Sequence, residues 1–169
     1  DNPYLNIGEI RRSGVDFQAS YRIPLTAFSD RGALTFNLAG TRIIHFGENV
    51  NNAGFVERAG ETSSLGSPKW LTTSSITYED RRVTVMGQMR TLSSGNYNNL
   101  YTEGVQINNN HVNGATYFNL SASYRASDNI EFFGVVNNLT DRDPELIPQN
   151  FGYPTVPQFF DMIGRSYRA

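Results

Sequence analysis

The chain has 169 residues, enough for one domain with a core, and its 14 basic and 16 acidic residues almost cancel. This balance gives no electrostatic reason to expect a nucleic acid as a partner. The sequence contains no cysteine, which excludes disulfides, thiolate metal ligands and cysteine nucleophiles.

Alternation of apolar and polar residues begins at Val15 and predicts a series of β-strands. The alternating positions, in chain order, are Val15, Phe17, Ala19, Tyr21 and Ile23, then Leu34, Phe36 and Leu38, then Val83, Val85, Gly87 and Met89, then Phe118, Leu120, Ala122 and Tyr124, and finally Ile130, Phe132, Gly134 and Val136. Residues 70–78 also resemble a strand, but their Ser and Thr content leaves the facing open. We therefore expect strands with one face in an apolar medium, and no helix.

The predicted connections alternate between short turns and long loops. The short turns are residues 24–32, 79–82 and 126–129, and the long loops are residues 47–68, 93–115 and 140–160. In an antiparallel meander, this alternation places all the long loops at one end of the sheet. Outer-membrane barrels have that asymmetry, whereas a soluble β-sandwich more often has long connections at both ends.

Aromatic residues recur near the ends of the predicted strands. Tyr21, Tyr78 and Tyr124 each lie within three residues of a short turn, and Trp70 lies near the opposite strand ends. Two aromatic girdles that bound an apolar band are typical of a membrane-spanning barrel. Tyrosine is common in any strand, but three tyrosines in register favour the girdle.

The end of the chain carries the most specific pattern. The stretches "FGVVNNLTDRDPELIP" and "YPTVPQFFDMIGRSYRA" resemble the C-terminal end of TonB-dependent outer-membrane receptors, and "RRSGVDFQASYRI" is similar to an earlier strand of that family. In the family, the penultimate strand ends in an Asn-Leu-x-Asp-like motif before a loop with proline, matched here by Asn138, Leu139, Asp141 and Pro144. An Asp-x-x-Gly-Arg-x-Tyr segment then introduces the last strand, matched by residues 161–167.

The residues of the first motif also have a direct physical interpretation. Asn137 and Asn138 end the strand, and Asp141 is expected to close an Asx-type turn on its own backbone. Pro144 then prevents further ladder pairing. The apolar run is therefore predicted to stop where the membrane band stops.

The resemblance implies an all-β fold, an antiparallel meander within a barrel of the 22-stranded type with an N-terminal plug. On that template, residues 1–169 form a partial receptor barrel domain of about six strands plus the start of the last, without the plug and the end of the final strand. The implied function is import of an iron chelate, vitamin or oligosaccharide across the outer membrane of a Gram-negative bacterium. The implied partners are outer-membrane lipid, the receptor's own plug, the TonB complex through the missing N-terminal region, and the imported small molecule. Neither a cofactor nor a nucleic acid is expected.

Two alternatives to this importer stay open: a passive porin-type or structural outer-membrane barrel, and a soluble β-sandwich that binds carbohydrate. No catalytic residue is predicted, because His45 and a nearby Ser come with no elbow or triad spacing. His111 is not predicted to bind a metal, because no second His or Cys lies at ligand spacing. No metal site is predicted either, because Asp141 and Asp143 lack the further ligands of a calcium loop.

The candidate site residues fall into two groups. Polar side chains on the strands are expected to face the lumen, where contact with the plug is a more common role than contact with substrate: Gln18, Arg22, Asn37, Gln88, Arg90, Ser121, Arg125 and Glu131. Loop aromatics beside Asn residues suit a sugar or chelate surface and are the candidate ligand-binding residues: Phe55, Tyr97, Tyr101 and Tyr153.

Overall fold

The computed structural model describes residues 8–25, 31–50, 54–147 and 154–169. Within these ranges every regular element is a β-strand. The strands are β1 (Gly8–Pro24), β2 (Ala33–Val50), β3 (Val56–Glu57), β4 (Trp70–Glu79), β5 (Val83–Leu92), β6 (Gly95–Asn96), β7 (His111–Val112), β8 (Ala115–Ser127), β9 (Ile130–Asn137) and β10 (Ser166–Arg168).

Most strands belong to one antiparallel sheet of eight strands in the order β1-β2-β4-β5-β8-β9-β10, with β3 paired to β2. Strands β6 and β7 form a separate pair. The predicted all-β antiparallel meander is confirmed. The long strands all belong to this one sheet, whereas a β-sandwich divides its strands between two.

Pairing register defines two faces of the sheet, because directly paired residues of antiparallel strands lie on the same side. One row of pairs runs through Tyr21, Phe36, Ile76, Gly87, Leu120 and Val136. The alternating positions predicted from the sequence share this side, as do Trp70 and Tyr78, and we call it the apolar face. The next row runs through Ser20, Asn37, Ser75, Gln88 and Asn119 on the polar face. Strand β4, whose facing the sequence left open, is thereby assigned.

The three short connections lie at one end of the sheet. Pro24 pairs with Ala33, Glu79 with Thr84, and Ser127 with Ile130. The long connections leave from the opposite end, as the alternating lengths predict. Parts of the predicted connections, residues 26–30, 51–53 and 148–153, lie outside the described residues.

The tightest burial does not lie beneath the apolar face. Side chains of that face are solvent-accessible, with Leu120 38% exposed. A buried apolar cluster instead lies at the long-loop end and is formed by Leu92, Val112, Ala115, Tyr117, Ile147, Val156 and Phe160. This cluster joins the strand ends to the last connection and does not cover the apolar face. The apolar face is therefore open to the surrounding medium.

Candidate functional site

A row of neutral polar side chains crosses the polar face. Ser20 donates to the Asn37 side-chain oxygen at 2.8 Å, and Asn37 donates to Ser75 over a longer 3.4 Å. In the same row, the Asn119 amide donates to the Gln88 side-chain oxygen at 3.1 Å. The central part of the polar face is therefore an uncharged surface of amides and hydroxyls.

Ion pairs on the polar face lie near the short-turn end. Arg22 pairs with Glu79 at 2.6 Å and Arg125 with Glu131 at 3.7 Å. Both pairs are exposed, so each contributes little to stability. All eight residues predicted to line a lumen lie on this one face: Gln18, Arg22, Asn37, Gln88, Arg90, Ser121, Arg125 and Glu131.

Arg90 differs from the other polar-face arginines in its partners. Its guanidinium lies 5.0 Å from the centre of the Tyr117 ring and donates to the carbonyl oxygen of Phe159 at 3.1 Å. The Tyr117 hydroxyl in turn accepts a hydrogen bond from the backbone N–H of Asp161 at 3.1 Å. These contacts place residues 154–163, which we call the strap, against the polar face.

A buried carboxylate, that of Glu61, joins the first two long connections. The Glu61 side chain is 1% exposed and accepts from Arg58 at 3.1 Å. Glu61 also accepts from the Ser63 hydroxyl at 2.6 Å and from the backbone N–H of Asn99 at 3.2 Å. Because Asn99 belongs to the connection between β5 and β8, the carboxylate of Glu61 holds the two long loops together.

The Asn residues of the loops serve the loops themselves. The Asn99 amide donates to the carbonyls of Glu57 and Ala59 at 3.1 and 3.3 Å. The Asn110 amide donates to the carbonyls of Asn98 and Tyr101 at 2.9 and 3.1 Å. These amides are therefore occupied within the protein, whereas the sequence suggested that Asn beside aromatics offers hydrogen bonds to a ligand.

The candidate ligand-binding aromatics occupy two places. Tyr97 and Tyr101 form a tilted pair with ring centres 6.2 Å apart. Phe55 lies instead beside Gly47 of β2, with Arg11 of β1 5.8 Å from its ring centre. Burial raises the pKa of Tyr97, and the nearby Tyr101 and Glu61 raise it further, so Tyr97 stays a neutral phenol. Tyr153 lies outside the described residues.

The three tyrosines near the short turns follow a slanted line across the apolar face. Tyr21 is in the same row as Ile76, and Tyr78 lies two residues further along β4. Tyr78 is in the same row as Ala122, and Tyr124 lies two residues further along β8. The line shifts by one residue along the chain for each strand it crosses. With about 3.3 Å per residue and 4.8 Å between strands, it is inclined by roughly 35° from the perpendicular to the strands.

Trp70 lies on the same apolar face near the long-loop end. It meets Phe17 edge to face with ring centres 6.4 Å apart, and Arg42 lies 5.2 Å from its ring centre. Tyr78 is on the same strand, and eight residues along a strand span about 26 Å. The two aromatic positions therefore bound a band of apolar side chains on β4 and its neighbours.

The end of β9 is closed by Asn138, which corrects the role expected for Asp141. Asn138 is 1% exposed, and its side chain accepts from the backbone N–H of Arg142 and donates to the Arg142 carbonyl, each at 2.9 Å. Asp141 instead accepts from the backbone N–H of Arg165, just before β10, at 2.8 Å. Both residues have positive φ, 48° and 54°, a region that Asn and Asp tolerate better than most residues. The motif therefore fastens the start of the last strand to the end of the one before it.

Replacing Asn138 by Ala is expected to lower the free energy of unfolding by about 2 kcal/mol, because a buried turn loses both side-chain hydrogen bonds and Ala disfavours positive φ. The neighbouring Asn137→Ala is the matched control, since Asn137 is exposed and its amide only meets the Ser166 hydroxyl at 3.3 Å. Denaturant unfolding of the reconstituted receptor measures both changes. Equal losses for the two variants would contradict the role given to Asn138.

His45 lies 3.0 Å from a Glu57 carboxylate oxygen, at hydrogen-bond distance between β2 and β3. In the described ranges, no three His, Cys, Asp or Glu side chains converge as metal ligands would. No helix with the length and apolarity to cross a membrane occurs in these ranges either.

Comparison with protein families identifies the chain. The family model described as "TonB dependent receptor-like, beta-barrel" matches residues 1–139, which is most of the sequence. The match includes Asn138 and Leu139 of the closing motif and ends before Asp141. Searches of curated proteins and of solved structures gave no match. Members of this family are outer-membrane receptors that act as transporters. The chain, an antiparallel meander with one apolar face and all long connections at one end, belongs to the TonB-dependent receptor β-barrel family.

Proposed function

We propose that residues 1–169 form part of the barrel wall of a receptor that imports a scarce small molecule across the outer membrane of a Gram-negative bacterium. The slanted row of Tyr21, Tyr78 and Tyr124 carries this proposal. Strands of outer-membrane barrels tilt by roughly 35–45°, so a row inclined by about 35° across the sheet lies at one height in the membrane. Trp70 marks the other side of the band at a height difference of about 20 Å, close to the ~25 Å apolar band of such barrels.

In this arrangement the apolar face contacts lipid and the polar face lines the lumen. A row of Ser, Asn and Gln across the lumen wall suits contact with an N-terminal plug, since it offers donors and acceptors without fixed charge. The long connections then face the outside, where the Tyr97 and Tyr101 pair offers amphipathic rings to a ligand and Phe55 offers a separate apolar ring. The imported ligand is then an iron chelate, a vitamin or an oligosaccharide.

Cysteine labelling of the full receptor in intact cells tests this orientation. We expect Asn109→Cys, in a long connection, to react with a membrane-impermeant maleimide. Asp80→Cys, in the short turn after β4, should react only after the cells are opened. Equal labelling of the two positions in intact cells would overturn the orientation.

Uptake measurements separate active import from a passive pore. An energised receptor loses ligand uptake in cells without TonB, although its ligand binding persists. Uptake that continues at the same rate without TonB would favour the porin-type alternative.

A further inference from the structure

The strap, residues 154–163, is the most firmly packed part of the polar face. Val156 and Phe160 are each 2% exposed and belong to the buried cluster with Leu92 and Tyr117 at the ends of β5 and β8. Leu92 and Tyr117 point to the same side of the sheet as the polar row. The strap therefore buries Val156 and Phe160 on the face that would otherwise be open to water.

Polar contacts fix the strap at several points. Arg90 donates to the Phe159 carbonyl, and Tyr117 accepts from the backbone N–H of Asp161. At the start of the strap, the Pro154 carbonyl accepts from the backbone N–H of Ile147 at 2.9 Å. All three contacts use backbone atoms of the strap.

The preceding residues of the same connection are tied to the start of β8. Arg142 donates to the Gly114 carbonyl at 2.8 Å, and the Asn113 amide donates to Glu145 at 2.6 Å. Beyond the strap, Asp141 accepts from the backbone N–H of Arg165. Residues on both sides of the strap are therefore fastened to the sheet.

Arg90 lies between two hollows on the polar face. One has a volume of about 500 Å³ and is also lined by Asp16, Gln18 and Thr41 on β1 and β2. The other has a volume of about 480 Å³ and is also lined by Asn119 and by Phe160 of the strap. Among the described residues, no carboxylate lies within ion-pair distance of Arg90. Its contacts are the Tyr117 ring and the Phe159 carbonyl.

We propose that the strap is a fixed constriction of the import path, and that Arg90 is the positioning residue that holds it against the barrel wall. This inference rests on the proposed function, because it assumes that the polar face lines the lumen. It assigns the main role of Arg90 to the receptor's own strap rather than to the plug. Solutes that pass on this side of the lumen then meet the strap and the two hollows beside it, instead of the bare strand side chains.

Thiol reactivity tests whether the strap is held in place. The chain has no cysteine of its own, so in an otherwise cysteine-free receptor only an introduced thiol reacts. Val156→Cys should react at least about tenfold more slowly than Pro157→Cys, because position 156 is buried and position 157 is exposed in the same strap. Both variants would be measured in purified outer membranes with a soluble maleimide.

The Arg90→Met variant tests the anchor. Loss of a charge-assisted hydrogen bond and of the contact with Tyr117 should raise the reactivity of Val156→Cys about tenfold. Arg90→Lys should restore part of the protection, since it keeps the charge and a donor. Arg82→Met, which removes an exposed arginine in the short turn between β4 and β5, should leave the reactivity unchanged.

Permeation supplies a readout that packing alone would not move. Because the plug would close the lumen, susceptibility is compared in cells whose receptor lacks it: Arg90→Met should make them more susceptible to a bulky hydrophilic antibiotic that intact outer membranes exclude, and Arg82→Met should not. Equal reactivity of positions 156 and 157 in the parent receptor would overturn the proposal that the strap is fixed against the barrel wall. Unchanged protection of position 156, or unchanged susceptibility, in Arg90→Met would overturn the role of Arg90. A protected position 156 in a receptor that imports nothing would refute only the proposed function, because thiol reactivity does not depend on transport.

Discussion

Replacing Leu120 by Arg is expected to lower the free energy of unfolding of the reconstituted receptor by roughly 2–4 kcal/mol. Leu120 lies in the middle of the row that runs from Tyr21 to Val136 on the apolar face. A guanidinium at this depth would have to leave water for hydrocarbon or distort the membrane around it. Denaturant unfolding in lipid vesicles measures the change.

Ser121→Arg is the matched control, because Ser121 is the next residue of β8 and points to the polar face. Its partners across the sheet are Met86 and Val135, and the face around it carries amides, hydroxyls and arginines. We expect a change within about 0.5 kcal/mol for this variant, as for most surface substitutions. Equal losses at positions 120 and 121 would mean that both faces meet the same medium.

Replacing Glu61 by Gln is expected to destabilise the pair of long loops by about 3 kcal/mol, since the buried Arg58 loses its closest carboxylate partner. Arg58 would retain only Glu48, at 3.5 Å. The loops should then open locally without unfolding the sheet. In the native protein the backbone N–H of Asn99 donates a hydrogen bond to Glu61. Its hydrogen exchange should accelerate by about a hundredfold in the variant.

Glu79→Gln provides the comparison for Glu61. Glu79 also pairs with an arginine, Arg22, but both side chains are largely exposed. Its removal should change stability by less than about 1 kcal/mol and leave the exchange of Asn99 as it was. A Glu61→Gln receptor with native exchange rates would show that the loops are held together by other contacts.

The strands could be predicted from the sequence because their signal is local. Each residue of β8 from Phe118 to Tyr124 alternates in polarity with its neighbours, and this period alone assigns it to a face. The alternating lengths of the connections then order the strands, since an antiparallel meander has few other arrangements. Residues 70–78 lacked that signal, and only pairing with β2 and β5 assigned Trp70 and Tyr78 to the apolar face.

The loop contacts could not be predicted because their partners are distant in sequence. Nothing in the local pattern connects Glu61 with Asn99, or Arg90 with Phe159. The density of Asn did indicate loops, but it does not reveal whether an amide binds a ligand or the carbonyl of a neighbouring turn. For the same reason, the sequence favoured Asp141 over Asn138 as the residue that closes the turn, although both are short polar residues suited to positive φ.

A spin-label scan of residues 117–124 in the receptor reconstituted into lipid measures directly which face of the sheet contacts the membrane. If the apolar face contacts lipid, collisions with oxygen should be highest at positions 118, 120, 122 and 124. Collisions with a water-soluble nickel chelate should be highest at the positions between them, except at the buried Tyr117. A profile without this period of two, or with the two reagents exchanged, would contradict the assignment of the faces and the membrane barrel with it.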